Sequence, residues 1–109
     1  MRWFVWRYSE PRWTLWFGSD RQASANQIRD ALNRAERDEY TFFEVYPGSW
    51  RLDRAFEVIG QYQGRQISWG WAGDIRAADH IVRALSGYLR PDVTLALRRG
   101  GQSVTAANW

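Results

Sequence analysis

Trp13-Thr-Leu-Trp16-Phe-Gly-Ser-Asp20, then a helical stretch, then Thr41-Phe-Phe-Glu-Val-Tyr-Pro-Gly48, is answered later in the chain by Ile67-Ser-Trp69-Gly-Trp-Ala-Gly-Asp74, a second helical stretch, and Thr94-Leu-Ala-Leu-Arg-Arg-Gly-Gly101. Both passages read strand, glycine-aspartate turn, helix, strand, glycine. A repeat of this kind decides the fold before any single residue does. With a strand added in front of each copy, the chain becomes two β-β-α-β units, about 2–48 and 54–101.

The elements follow from periodicity and stop signals. Strands are expected at Arg2–Tyr8 and Trp13–Phe17, joined by the Ser9–Arg12 turn. A helix is expected at Ser24–Arg37, with Ser24 and Gln27 forming a capping box and Ile28, Ala31, Leu32 and Ala35 as its buried stripe. A strand over Tyr40–Tyr46 ends at Pro47-Gly48. Arg54–Tyr62 and Arg65–Trp71 form a hairpin across Gln63-Gly64, pairing Val58 with Trp69 and Phe56 with Trp71. The second helix, Asp74–Leu89, takes Asp74 as N-cap and ends before Pro91. The last strand is Asp92–Arg98, with Val93, Leu95 and Leu97 inward. Residues 102–109 are a tail or an extra strand.

Two helices with narrow, alanine-rich apolar faces suit one side of an antiparallel sheet. The expected fold is therefore α+β: a two-layer sandwich, with a six-stranded, mostly antiparallel sheet and two helices on one face. The alternative is a ferredoxin-like core with extra strands. At 109 residues and 45% hydrophobic, the chain fits one domain with a modest core.

Composition excludes much chemistry. There is no cysteine, so disulfides, thiolate nucleophiles and cysteine-held metals are ruled out. The single histidine, His80, has no nucleophile nominated beside it, and no metal site or cofactor is expected. All fifteen basic residues are arginine, and the net charge is only +3, too small to argue for nucleic acid by itself. Gly18-Ser-Asp20 and Gly73-Asp74 are too short for a phosphate-binding fingerprint. Arg98-Arg-Gly-Gly101 reads as a strand end. No apolar run is long enough to span a membrane, and the expected location is the cytoplasm.

The helix-free face of the sheet carries the functional expectation. Burying Glu44 would be costly, so Phe42, Glu44 and Tyr46 should point away from the helices. In the second strand Trp13, Leu15 and Phe17 are taken as inward, leaving Trp16 outward. The four-residue turn pairs Tyr8 with Trp13, Trp6 with Leu15 and Phe4 with Phe17, and so sets Trp3, Val5 and Arg7 outward too. The expected binding surface is Trp3, Arg7, Trp16, Phe42, Glu44 and Tyr46. The matching face of the second half, Glu57, Ile59, Gln61, Gln66, Ser68, Thr94, Ala96 and Arg98, is ordinary wet sheet.

An aromatic surface of that size exceeds what a monomer usually exposes. The expected protein is a non-catalytic binding protein, homodimeric through this face or covering it with another protein. Bacterial or phage accessory proteins of the immunity, antitoxin or inhibitor type are often of this size. Two other occupants fit the residues: single-stranded nucleic acid stacked on the aromatics beside Arg7, and a cationic aromatic ligand around Glu44. The chain's own Trp50 loop or its tail is the remaining cover.

Overall fold

A computed structural model of the chain describes residues 2–99 and, as backbone, 102–104. The elements run β1 (Arg2–Ser9), β2 (Arg12–Ser19), α1 (Gln22–Ala35), β3 (Thr41–Gly48), β4 (Phe56–Tyr62), β5 (Arg65–Ala72), α2 (Ile75–Tyr88), β6 (Thr94–Arg99) and β7 (Gln102–Val104). All seven strands form one sheet in the order β3-β1-β2-β5-β4-β6-β7, with every pairing antiparallel. The fold is the expected α+β sandwich. Each half places its first strand in the middle, its second at the junction and its third outside. The halves sit side by side, so the ferredoxin-like alternative does not fit. Of the tail, 102–104 pair as a strand and 105–109 lie outside the described residues.

One hydrophobic cluster draws on both helices and both halves of the sheet, through Val5, Phe17, Ile28, Phe43, Val58, Trp69, Ile81, Leu85 and Leu97. Among the described residues no helix is long and apolar enough to cross a membrane.

The second hairpin turns at Gln63 and Gly64, with φ of +50° and +75°. That is the double left-handed geometry whose twist matches a two-residue hairpin. The halves meet at only two pairs, Phe17↔Ala72 and Gly18↔Trp71. Gly70 adjoins this junction at φ +144°, where a Cβ would collide with the carbonyl oxygen of Gly18.

Each hairpin carries one bulge, and both bulges fall on tryptophan. In β2, Val5 pairs with Phe17 but Trp6 with Leu15, so Trp16 is the extra residue. In β5, Val58 pairs with Gly70 but Ile59 with Ser68, so Trp69 is the extra residue. This corrects the expected Val58–Trp69 and Phe56–Trp71 pairs: Phe56 faces Ala72, and Trp71 points away from the helices. A bulge inserts one residue and breaks the period of two.

The helix starts also differ. Asp74 caps α2 as expected, its carboxylate accepting the Ala77 N–H at 2.8 Å. The Ser24–Gln27 capping box does not form. α1 begins earlier, at Gln22, after an Arg21 that supplies no side-chain cap. Ser24 is buried in the first turn. Gln27 instead accepts the Nε1–H of the buried Trp69 at 2.7 Å, a partner that indole needs once out of water.

Candidate functional site

The helix-free face of the first half is aromatic, but its roster differs from the expected one. Phe42, Glu44 and Tyr46 do lie on it, opposite Tyr8, Trp6 and Phe4 of β1. Trp3, Arg7 and Trp16 do not. Trp3 and Trp16 pack against the helix-side core. Trp16 meets Phe43 at 5.2 Å and the His80 ring of α2 at 5.4 Å. Arg7 lies opposite the buried Phe43, its guanidinium 5.5 Å from the Trp16 ring.

The expected hairpin register holds from Tyr8↔Trp13 to Trp6↔Leu15, but its phase is reversed. Phe17 faces the helices, Trp16 is the bulge, and Leu15 and Trp13 therefore face outward. Beyond the bulge Phe4 pairs with Gly18 rather than with Phe17, and its ring rests on that glycine.

The outer surface of the first half thus comprises Phe4, Trp6, Tyr8, Trp13 and Leu15 as well as Phe42, Glu44 and Tyr46. Trp13 is its centre. The Trp13 ring lies 4.9 Å from Tyr8, 5.7 Å from Phe42 and 6.0 Å from Tyr46, the last two edge-on.

Loop 49–55 folds back over the other end. Trp50 stands edge-on to Phe4 at 5.3 Å and to Trp6 at 5.2 Å, while Leu52 reaches Gly18. Phe4 is 1% exposed as a result of this packing, but Trp13 (45%), Phe42 (39%), Tyr46 (43%) and Trp50 itself (43%) remain open to solvent. Trp6 Nε1 is buried and has no hydrogen-bond partner among the described residues. The chain therefore covers half of its aromatic face and leaves the half around Trp13 bare.

The outer edge of β3 is blocked at three positions, 41, 43 and 47. Asn33 of α1 accepts the Phe43 N–H at 2.8 Å and donates to the Phe43 carbonyl at 3.0 Å, imitating one residue of a neighbouring strand. The Thr41 N–H is used by the Asp38 carbonyl at 3.1 Å. Pro47 has no N–H to offer. These are the ordinary devices against edge-to-edge pairing.

Electrostatically the patch holds one acid. Glu44 makes no ion pair among the described residues, and neither does Arg51 on the covering loop. Arg2, the outward arginine of β1, is bound to Asp20 at 3.3 Å. The clefts at the start of α1, at the β2–β5 junction and around loop 49–55 are lined by residues other than Trp13, Phe42, Glu44 and Tyr46.

His80 sits on α2, its Nδ1 3.1 Å from the Arg76 carbonyl oxygen. Among the described residues no three of His, Asp and Glu gather as metal ligands would. Simple alternation misplaces Phe4, Trp6 and Tyr8 of β1 and Trp13 and Leu15 of β2. β1 is apolar on both faces, which leaves its phase open, and the bulge at Trp16 reverses the phase of Trp13 and Leu15.

Comparison of the chain with protein-family models, with curated proteins and with solved structures finds no match.

Proposed function

We propose that this is a non-catalytic interaction protein that works through the bare half of its aromatic sheet face, with a second copy of itself as the first occupant. The observation that carries the reading is the contiguous Trp13, Phe42 and Tyr46 surface, left open beside a Trp50 that covers the rest.

Large aromatics bury roughly 150–250 Å² each. At the exposures above, the four open rings offer roughly 250–400 Å², a third to a half of the ~800 Å² that each partner gives to a standard interface. Flatness favours a macromolecule over a small ligand, since small ligands take concave sites. The nucleic-acid reading loses Arg7, which faces the helices, and keeps only Arg51 of the loop, with Glu44 in the middle of the patch. A cytoplasmic, accessory role remains the accompanying proposal.

A two-fold dimer also answers the charges. In an isologous contact a residue pair forms twice. Glu44 of one protomer would meet Arg51 of the other, and reciprocally.

The test is solution mass by light scattering across the micromolar range. Wild type should run at twice its 12.9 kDa chain mass, and Trp13→Glu should run as a folded single chain. Reversing the charges in Glu44→Arg should weaken the dimer, and adding Arg51→Glu should restore it. A wild-type single chain at all concentrations overturns self-association.

A further inference from the structure

A second site lies on the opposite side of the molecule. The N-terminal end of α1, the segment after α2 and the β4–β5 hairpin enclose a groove of about 600 Å³, within the range of small-molecule sites. Beneath its floor lies Trp69, the bulge residue of β5, 5% exposed, whose ring lies against Gly60 so that β4 raises no side chain there. Ile67 lies beside it, 40% exposed, which is unusual for a side chain on the helix-facing side of a sheet. Tyr62 and Tyr88 are among the other apolar lining residues.

The polar lining is weighted towards donors. Arg21 comes from α1 and Arg90 from the segment after α2. Arg90 lies 5.3 Å from the Tyr62 ring and is held by Asp92 at 3.1 Å. Arg21 donates one N–H to the Ser68 carbonyl at 3.1 Å and keeps its other donors. Gln27 spends its oxygen on Trp69, which leaves its NH₂ free to donate. The acid in the lining, Asp30, is already tied to Arg29 at 2.9 Å.

The corresponding space in the first half is filled, because Trp16 lies on Phe43 and His80 with Arg7 over it. In the second half the equivalent tryptophan lies beneath an open groove.

We propose that this groove binds a planar aromatic molecule bearing one acidic group, with the ring on Ile67 above the buried Trp69 and the anion held by Arg21 and Arg90. An apolar floor and two guanidinium groups in one lining match a flat apolar body with a carboxylate, sulfonate or phosphate at one end.

The test uses anilinonaphthalene sulfonate as the anionic probe and N-phenyl-1-naphthylamine as its uncharged counterpart, each titrated by dye fluorescence. The sulfonate should bind saturably, one per chain. Its Kd should rise at least tenfold in the Arg21→Gln/Arg90→Gln variant, while the uncharged dye binds wild type and variant alike. Arg90→Gln alone, at an exposed side chain, gives a part of the same shift without risk to folding. No saturable binding, or equal sulfonate affinity in wild type and double variant, overturns the proposal. So does loss of binding in Trp13→Glu but not in the arginine variant, which would put the dye on the outer sheet face.

Discussion

The two halves of this sheet share a topology and oppose each other in chemistry. On the helix-free face of the second half, Glu57 holds Arg98 at 3.2 Å and the Ser68 hydroxyl at 2.7 Å, a polar network complete in itself. On the same face of the first half the strands present aromatic rings, and a loop must be laid over them. The difference teaches where function can attach. A polar face satisfied within the chain needs nothing further, whereas an aromatic face half covered by its own loop still exposes the kind of surface that partners bury.

The largest effect is expected where the halves join. Gly70→Ala would put a Cβ into the Gly18 carbonyl at a φ of +144°, a conformation that side chains rarely adopt. Strain of that kind costs about 1–3 kcal/mol, and overpacking about as much again. Urea unfolding should show a loss on the order of 3 kcal/mol or more. A loss below about 1 kcal/mol would mean that the two-pair junction flexes and that the halves are more independent than the shared core implies.

Next comes the cover. Trp50→Ala strips Phe4 and Trp6 of their edge-on partner. Full truncation of a buried tryptophan costs about 3–5 kcal/mol; with Trp50 nearly half exposed, about 2 kcal/mol is expected. On the second half, Arg98→Ala breaks a partly exposed ion pair and should cost about 1 kcal/mol or less. Equal losses by urea unfolding would show that loop 49–55 contributes little to the first half.

Why one half was legible and the other was not follows from where polar residues and bulges fall. Glu57 and Gln61 in β4, and Glu44 in β3, fix the phase of their strands, because each has one face on which a charge or amide is affordable. All eight outward residues assigned to the second half occupy that face. Strand β1 has two basic markers of opposite phase: Arg2, which points outward to Asp20, and Arg7, which rests on Trp16 and so tolerates the helix side. Strand β2 was phased from Phe17, correctly buried, and the alternation was carried back through Trp16. Nothing in Trp13–Phe17 announces an extra residue, since Trp fits either face of a strand. The aromatic site is therefore visible in the sequence as a surface, while five of its eight members are misassigned by alternation.

A smaller effect separates the two helix starts. Asp74→Ala removes the cap of α2 and should lower stability by about 1 kcal/mol. α1 has no side-chain cap to lose, so Arg21→Ala should change stability by no more than about 0.5 kcal/mol. Chemical denaturation of the two variants checks this directly, and a larger loss at Arg21 would mean that its bond to the Ser68 carbonyl matters to the β5 edge.

The smallest effect concerns the turns that lead into the third strand of each half. Thr41 N–H donates to the Asp38 carbonyl, and Val93 N–H donates to the Arg90 carbonyl, at 3.1 Å in both cases. The backbone turn is the same, but only the first has a carboxylate at its start. The Tyr40 N–H, first, and then the Thr41 hydroxyl donate to Asp38 and hold its pKa below the ordinary 3.8. A pKa depressed by folding contributes stability above the unfolded value, and that contribution fades as pH falls through the folded value. Wild type should therefore lose stability from this turn on acidification below the ordinary carboxylate range. Asp38→Asn should flatten that part of the profile, while Arg90→Gln, in the matching turn, should leave it unchanged. Thermal melts between neutral and acidic pH read the slope. An Asp38→Asn slope as steep as wild type would move the acid sensitivity away from this turn, and a flattened Arg90→Gln slope would move it to the second half.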